Sequence, residues 1–185
     1  GTIFNVQEAQ AVYVVGTRDS FPVIEFIVWS KLCESRFGNE ENPEREVPFP
    51  FSNPSGAVCP ESTQLPYPMG IANLLHEVEL IVAVGKNDTN FPASEALDYI
   101  FSYAVGLDLA RRDKQKEQEK EGPSSTAKGF DRSATCSYLH KVEEVGHLER
   151  GKITLSVNGG ILQQEDISDM IWFVAEVISS LSSFV

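Results

Sequence analysis

The chain has 185 residues, of which 42% are hydrophobic and 10% aromatic, enough to form the core of one domain and too many for a disordered or collagen-like chain. Fifteen Lys and Arg residues stand against 27 Asp and Glu residues, so the formal net charge of -12 disfavours binding to nucleic acid or to an anionic membrane surface. The three cysteines form no Cys-x-x-Cys pair and no apolar run is long enough to span a bilayer, which favours an intracellular protein, cytoplasmic or mitochondrial.

The first part of the chain predicts two short strands followed by an irregular segment. Residues 11–16 and 23–29 are β-branched and aromatic runs separated by a polar turn, which is typical of strands. Residues 36–68 are rich in Pro, Gly, Asn and Glu and keep no sustained period. We expect this segment to be irregular, and long segments of that kind are often functional.

The middle of the chain alternates between strands and one predicted helix. Residues 76–85 form the clearest strand, and residues 94–103 carry apolar side chains at helical spacing, with Ser94 as the expected N-cap. Residues 103–110 return to an apolar run that predicts another strand. The densely charged residues 111–122 predict a solvated helix or loop, and a mobile flap over a site is the alternative.

The last part of the chain predicts a hairpin and a terminal helix. Residues 152–158 alternate between apolar and polar side chains and lead into Asn158-Gly159, a strong turn signal, with residues 161–164 as the returning strand. Residues 168–181 carry apolar side chains at helical spacing, which predicts an amphipathic helix. Strands therefore dominate the predicted fold, with a few short helices.

Two glutamates in the clearest strand indicate chemistry. Because side chains alternate across a strand, Glu77 and Glu79 share one face with Ile81 and Ala83, and both faces become apolar within two residues. Like charges at that spacing repel unless something neutralises them, and a bound cation would do so. The alternative is that the strand begins in solvent, with both glutamates outside the core.

A third acid strengthens the metal hypothesis. Asp108 lies in another largely apolar run and needs a partner if it is buried. Three carboxylates offer an all-oxygen site, which selects a hard divalent ion: Mg²⁺ first, with Mn²⁺ or Ca²⁺ possible. Zinc is disfavoured because the pattern contains neither a cysteine ligand nor an evident histidine pair.

Residues after Asp108 could give an acidic protein a local positive field. Arg112, Gln115 and Lys128 follow it, and together they offer cationic and amide donors for a small carboxylate substrate. The alternative is that Arg112 pairs with Asp113 or Glu117 at the surface and that Lys128 is an ordinary exposed lysine.

Four segments between residues 74 and 181 resemble one known family. They read, in order, HEVELIVAVGK, SYAVGLDLARRDKQ, AKGFDRSATCSYL and LSVNGGILQQEDISDMIW. Their order and spacing, and above all the Asp-x-x-x-Arg-x-x-Gln pattern that begins at Asp108, are similar to the successive motifs of the fumarylacetoacetate hydrolase family.

The resemblance implies a fold and a site. It implies a mostly β fold with short helices, in which mixed strands roll into a flattened barrel like the C-terminal domain of the family, and assembly as a homodimer. We expect one such domain over residues 1–185 that lacks the family's C-terminal end. The implied site is a Mg²⁺ ion on three carboxylates and a small 2-oxo acid on three further residues, with Lys128 catalytic. The metal ligands would be Glu77, Glu79 and Asp108, and the substrate contacts would be Arg112, Gln115 and Lys128.

The resemblance also implies a reaction class. Members hydrolyse, decarboxylate or isomerise 2-oxo and 1,3-diketo acids, so we expect a Mg²⁺-dependent hydrolase or decarboxylase of an acylpyruvate or of oxaloacetate. A hydroxymuconate-type dioate isomerase and a catalytically inactive metal-binding or interaction protein with the same fold are the alternatives. The family's water-activating His-x-x-Glu pair has no visible counterpart, because no histidine precedes His76. The absence of this pair disfavours hydrolysis more than decarboxylation, because decarboxylation needs no activated water.

Overall fold

The computed structural model describes residues 57–60, 64–86, 88–113 and 127–184, together with the backbone of residues 4–5, 13–14, 26–28, 50–51 and 125–126. Most of the regular structure in these residues is β-strand. The strands are β1 (Phe4–Asn5), β2 (Tyr13–Val14), β3 (Phe26–Val28), β4 (Pro50–Phe51), β5 (Val58–Pro60), β6 (Leu74–Val84), β7 (Ile100–Arg111), β8 (Ala134–Cys136), β9 (His140–Lys141), β10 (Lys152–Val157) and β11 (Gly160–Asp166).

The helices are short. They are α1 (Ala93–Ala96), α2 (Ser125–Lys128), α3 (Val142–Val145) and α4 (Val174–Leu181), with 3₁₀ turns at Leu97–Tyr99 and Ile167–Asp169. Within the part of the chain that the structure describes, no helix has the length and apolar composition needed to cross a membrane.

The sheet that carries the predicted site is mixed. Its strands lie in the order β5-β8-β7-β6, with β9 pairing with β7 outside that path. β6 and β7 form a long antiparallel pair that runs from Leu74 opposite Arg111 to Val84 opposite Ile100. β8 pairs antiparallel with β7 and parallel with β5. The antiparallel pair therefore provides a long scaffold that fixes side chains on two strands relative to each other.

Two further sheets have the strand orders β1-β10-β11 and β2-β3-β4. The predicted hairpin joins β10 to β11 through Asn158 and Gly159, which have φ angles of 52° and 81°. Positive φ at both central residues is what a two-residue type I′ turn requires. The hairpin prediction is therefore confirmed, and the returning strand is longer than residues 161–164.

The main core lies between the β6–β7 pair, the β10–β11 hairpin and α4. Alternate residues of β6 and β7 face it, and α4 packs an apolar face against them. Its buried members include Val78, Leu80, Val82, Leu107, Leu109, Ile153, Leu155, Val174, Val177, Ile178 and Leu181. The residues between them along β6 and β7 point to the other side of the sheet, where the acids lie.

The predicted helices are wrong in their bounds. The helix expected over residues 94–103 ends within a 3₁₀ turn, and β7 begins at Ile100 because residues 100–111 pair with β6 along their length. Pro92, not Ser94, is the N-cap. The helix expected over residues 168–181 begins at Val174, since residues 167–169 form a 3₁₀ turn first.

The expectation of an irregular segment over residues 36–68 is also partly wrong. The described part of that segment contains β4 and β5. Each is only two or three residues long, so neither shows a period that a sequence pattern could reveal.

Candidate metal centre

The pairing of β6 with β7 brings the three predicted acids together. Glu77 lies directly opposite Asp108, and Glu79 lies opposite Gly106, on the same side of the sheet. One carboxylate oxygen from each of Glu77, Glu79 and Asp108 lies within 4.8 Å of the other two. The three acids thus form one group although Asp108 is far from the two glutamates in the sequence. We call this group the carboxylate cluster.

The carboxylate cluster is buried. Asp108 is fully buried, Glu79 is 8% exposed and the side chain of Glu77 is 17% exposed. The alternative in which the glutamates stand in solvent at the start of the strand is therefore wrong. The reason is that β6 begins at Leu74, three residues before Glu77, so neither glutamate stands at the solvent end of the strand.

The Lys128 ammonium lies against the carboxylate cluster. Its Nζ donates to Glu77 Oε2 at 2.6 Å and to Asp108 Oδ2 at 2.7 Å. The residue is 5% exposed, so the alternative of an ordinary surface lysine is wrong. The ammonium compensates part of the charge of the three carboxylates; the sequence placed Lys128 at the site as a substrate contact, not as an ion-pair partner of the acids.

A compact turn after α2 holds Lys128 in place. The N–H of Phe130 donates to the carbonyl of Lys128 at 3.0 Å, and the N–H of Ser133 donates to the carbonyl of Phe130 at 3.0 Å. The Arg111 guanidinium lies 4.5 Å from the centre of the Phe130 ring. The carbonyl of Ser133 in turn accepts the N–H of Leu109 at 2.8 Å, which ties the turn to β7 beside Asp108.

Gly106 allows the close packing around Glu79. A Cβ at this position would lie 2.7 Å from Ile81 Cδ1 and 2.8 Å from the Thr135 carbonyl oxygen. Both distances are shorter than a van der Waals contact, so only glycine lets β6, β7 and β8 approach this closely opposite Glu79.

Burial changes the protonation chemistry of the cluster. Burial raises the pKa of Asp108 to about 6, although the Lys128 ammonium opposes the rise. Burial, assisted by the neighbouring Asp108 carboxylate, raises the pKa of Glu79 well above its usual range. Burial alone would lower the pKa of Lys128, but the surrounding carboxylates, Asp108 above all, outweigh it and hold that pKa above its ordinary value.

Two oxygens of the cluster are left for a further ligand. Glu79 Oε2 and Asp108 Oδ1 are buried and accept no hydrogen bond from any residue that the structure describes. A buried carboxylate oxygen without a donor is costly, and a cation relieves that cost. The donor set consists of oxygens alone, so the residues present fit a hard divalent ion such as Mg²⁺, Mn²⁺ or Ca²⁺.

The remaining predicted site residues have different outcomes. Arg112 follows β7 directly, and its N–H donates to the Asn73 carbonyl at 3.1 Å beside the start of β6. Its contact with substrate stays a prediction. Gln115 lies outside the described residues, as does the predicted charged segment beyond residue 113.

Comparison with known proteins identifies the family. Residues 30–185 match the family model described as fumarylacetoacetate (FAA) hydrolase C-terminal. The chain belongs to the fumarylacetoacetate hydrolase family. The resemblance seen in the sequence is therefore confirmed, as is the mostly β fold with short helices that it implied.

Two relatives align with most of the chain. The mitochondrial oxaloacetate tautomerase FAHD1 of Homo sapiens is 34% identical over 176 residues, which are 90% of this chain and 79% of that protein. Fumarylpyruvate hydrolase of a Ralstonia species is 32% identical over 140 residues, covering 75% of this chain and 72% of that protein.

A solved member gives the structural comparison. The crystal structure of fumarylpyruvate hydrolase from Pseudomonas aeruginosa in complex with Mn²⁺ and pyruvate matches with a TM-score of 0.76. It is 37% identical to this chain, and the match covers 98% of this chain and 73% of that one. A member of the family with this fold thus binds a divalent ion together with a 2-oxo acid.

Proposed function

We propose that the chain is a divalent-metal-dependent enzyme that acts on a short 2-oxo acid of the oxaloacetate or acylpyruvate class. The observation that carries the proposal is the buried carboxylate cluster with two oxygens that accept no hydrogen bond from the described residues. The Mn²⁺ and pyruvate bound to the Pseudomonas aeruginosa relative support it. Mg²⁺ is the proposed ion, with Mn²⁺ or Ca²⁺ as substitutes, because all three accept oxygen ligands.

The proposed metal ligands are Glu77, Glu79 and Asp108. A divalent ion held there would supply Lewis-acid polarisation of the 2-oxo acid group. The protein's own contribution is to hold three carboxylates in one fixed arrangement on a two-strand scaffold, in a site shielded from water. The positive charges that they hold, the Lys128 ammonium and the proposed metal ion, would stabilise developing negative charge more strongly in such a preorganised, water-excluded site than in solution.

Lys128 is the proposed catalytic residue. In the metal-free protein the surrounding carboxylates, Asp108 above all, hold the pKa of Lys128 above its ordinary value, so Nζ carries its proton at neutral pH. A protonated amine cannot act as a general base, and it can donate a hydrogen bond to negative charge that develops on a substrate oxygen. Arg112 and Gln115 are the proposed contacts for the substrate carboxylate, since guanidinium and amide groups bind carboxylates through directed hydrogen bonds.

Two reaction types are supported by different observations. Hydrolysis of an acylpyruvate or decarboxylation of oxaloacetate follows from the family resemblance, and the Ralstonia and Pseudomonas relatives are fumarylpyruvate hydrolases. Tautomerisation of oxaloacetate is the second candidate, favoured by the 34% identical human relative. It moves a proton from a carbon to an oxygen of the substrate and needs no activated water, so the lack of a visible His-x-x-Glu pair disfavours it less than hydrolysis. Assembly as a homodimer, which the resemblance implies, is part of the proposal.

One set of assays tests the proposal. Acetylpyruvate and oxaloacetate are incubated with the metal-free protein, with added Mg²⁺ or Mn²⁺, and with metal alone as the blank. Released pyruvate reports hydrolysis or decarboxylation, and the ultraviolet absorbance of the enol reports tautomerisation. We expect turnover only with metal, and a loss of about 100-fold or more in Glu79→Gln, because a metal ligand contributes several kcal/mol to transition-state stabilisation.

Glu144→Gln is the matched control, since Glu144 is an exposed acid on α3. It should keep full activity. Equal activity of Glu79→Gln and the unmodified protein would refute the assignment of the ligand. Metal binding without turnover of either substrate would favour the inactive metal-binding protein.

A further inference from the structure

Gln163 on β11 contacts a strand of another sheet. Its side-chain Oε1 accepts the backbone N–H of Val78 on β6 at 3.1 Å. Gln163 is paired with Leu155 of β10, and Leu155 is fully buried, so both side chains lie on the core side of the hairpin. Gln163 itself is half-buried, and burying an amide is unfavourable unless it is hydrogen-bonded. The Val78 N–H thus supplies the donor that Gln163 Oε1 needs in this position.

The Val78 peptide lies between two of the proposed metal ligands. Along an antiparallel strand, N–H groups point alternately toward and away from the neighbouring strand. The Val78 N–H points to β11, so the N–H groups of Glu77 and Glu79 point to β7. β6 ends the path of its sheet in the described part of the chain, so no strand there pairs with its outer side. Gln163 supplies the hydrogen-bond acceptor that a strand would otherwise provide.

We infer that Gln163 is a positioning residue for the metal centre. β7 holds the two glutamates from one side, and Gln163 holds the peptide between them from the other. This fixes the pleat of β6 that directs both carboxylates to the same side of the sheet. Neighbours that orient metal ligands typically change metal affinity by about 10- to 100-fold when they are replaced. The inference rests on the proposed function, because it requires that the carboxylate cluster binds a metal ion.

Metal titration of matched variants tests the inference. Gln163→Met keeps the length of the side chain and removes the acceptor, whereas Gln163→Glu keeps an acceptor oxygen. Gln164, the next residue on β11, is exposed, so Gln164→Met and Gln164→Glu are controls for the substitution and for the added charge. Mn²⁺ affinity is measured by isothermal titration calorimetry, and thermal unfolding of the metal-free proteins is recorded in parallel.

We expect Gln163→Met to lose about tenfold or more in Mn²⁺ affinity at a temperature where it is fully folded. Gln163→Glu should recover most of that affinity, and both Gln164 variants should bind like the unmodified protein. If Gln163→Met lowers only the unfolding temperature and binds Mn²⁺ normally, the role is structural and the inference is wrong.

The titration distinguishes failure of the proposed function from failure of this inference alone. If the unmodified protein binds no Mn²⁺, the proposed function and this inference both fail. If the unmodified protein and Gln163→Met bind equally well, only the inference fails. Should Gln163→Met not fold, Gln163→Asn replaces it, because its amide is one methylene too short to reach Val78. It should show the same loss of affinity, and normal affinity would overturn the inference.

Discussion

At the scale of single residues, Lys128 compensates part of the negative charge of the buried carboxylate cluster. Its ammonium donates hydrogen bonds to the carboxylates of Glu77 and Asp108, and the lysine is buried. Removing one partner of a buried ion pair is strongly destabilising, because the remaining charge stays buried without compensation. The lysine therefore has a structural task in the metal-free protein besides its proposed task in catalysis.

We predict that Lys128→Met lowers the free energy of unfolding of the metal-free protein by about 3–5 kcal/mol, the usual cost of breaking a buried ion pair. Lys152→Met is the matched control, since Lys152 is an exposed residue at the start of β10. Urea unfolding of both variants provides the measurement. Equal midpoints for Lys128→Met and the control would show that the ion pairs contribute no stability.

The sequence predicted some of these residues and not others. Glu77, Glu79 and Asp108 could be singled out because acids in apolar runs require a partner, and strand alternation placed the two glutamates on one side. The resemblance implied that Lys128 lies at the site as a substrate contact, but its ion pairs with Glu77 and Asp108 could not be predicted. They depend on where the chain returns after residue 113, and no periodicity in the charged run specifies that path. Gln163 was missed because an amide in an alternating strand looks like a solvent-facing residue.

At the scale of secondary structure elements, long pairings were predictable and short elements were not. β6 and β7 were recognised because residues 76–85 and 103–110 are largely apolar, although both strands extend beyond those bounds. β8 was missed because three residues show no pattern, and its parallel partner β5 is distant in the sequence. The predicted helix over residues 94–103 was wrong at its end because pairing with β6 outweighs the helical spacing of a few apolar side chains.

Asp166 links two elements through one oxygen. Its Oδ1 accepts the Ser168 hydroxyl at 2.7 Å, the Ser168 N–H at 3.0 Å and the Gly151 N–H at 3.2 Å. It thereby joins the residue before β10 to the 3₁₀ turn after β11. These hydrogen bonds, that of the Ser168 hydroxyl first, lower the pKa of Asp166.

We predict a pH-dependent effect of Asp166→Asn on stability. A carboxyl whose pKa is lower in the folded state stabilises the fold above its unfolded pKa, and this contribution is lost as pH falls through the folded pKa. The stability difference between the unmodified protein and Asp166→Asn should therefore be largest near pH 7 and should shrink below about pH 4, the ordinary range of an aspartate. Thermal unfolding from pH 3 to 7 measures it.

Asp169→Asn is the control for this prediction, because Asp169 is exposed on the same 3₁₀ turn. A difference between Asp166→Asn and the unmodified protein that stays constant over the whole pH range would contradict the assigned role of the charge.

At the scale of the whole molecule, the proposed metal site links ion binding to stability. An ion that binds only the folded state raises the free energy of unfolding by about 2.7 kcal/mol when its concentration is 100 times its dissociation constant. For a chain of this size each kcal/mol raises the unfolding temperature by roughly 2–4 °C. The expected gain is large enough to measure.

We predict that Mg²⁺ or Mn²⁺ raises the unfolding temperature of the chelator-treated protein by about 5–10 °C at such a concentration. KCl at matched ionic strength controls for screening of the net charge of -12. Glu79→Gln should show a much smaller shift. An unfolding temperature that neither ion changes at millimolar concentration would refute the metal centre.

The connections between the paired strands differ greatly in length, and this difference has a consequence for folding. β6 and β7 are neighbours along the chain, whereas β5 pairs with β8 across a separation that runs from Val58 to Ala134. Short loops close at a smaller entropic cost than long ones, so we expect the β6–β7 pair that carries Glu77, Glu79 and Asp108 to form before β5 pairs with β8. Lys128 precedes β8 and arrives with it. Only 20 residues separate Lys128 from Asp108, so we expect the ammonium to meet this acid before β5 completes the sheet, and the repulsion among the acids is then compensated early in folding.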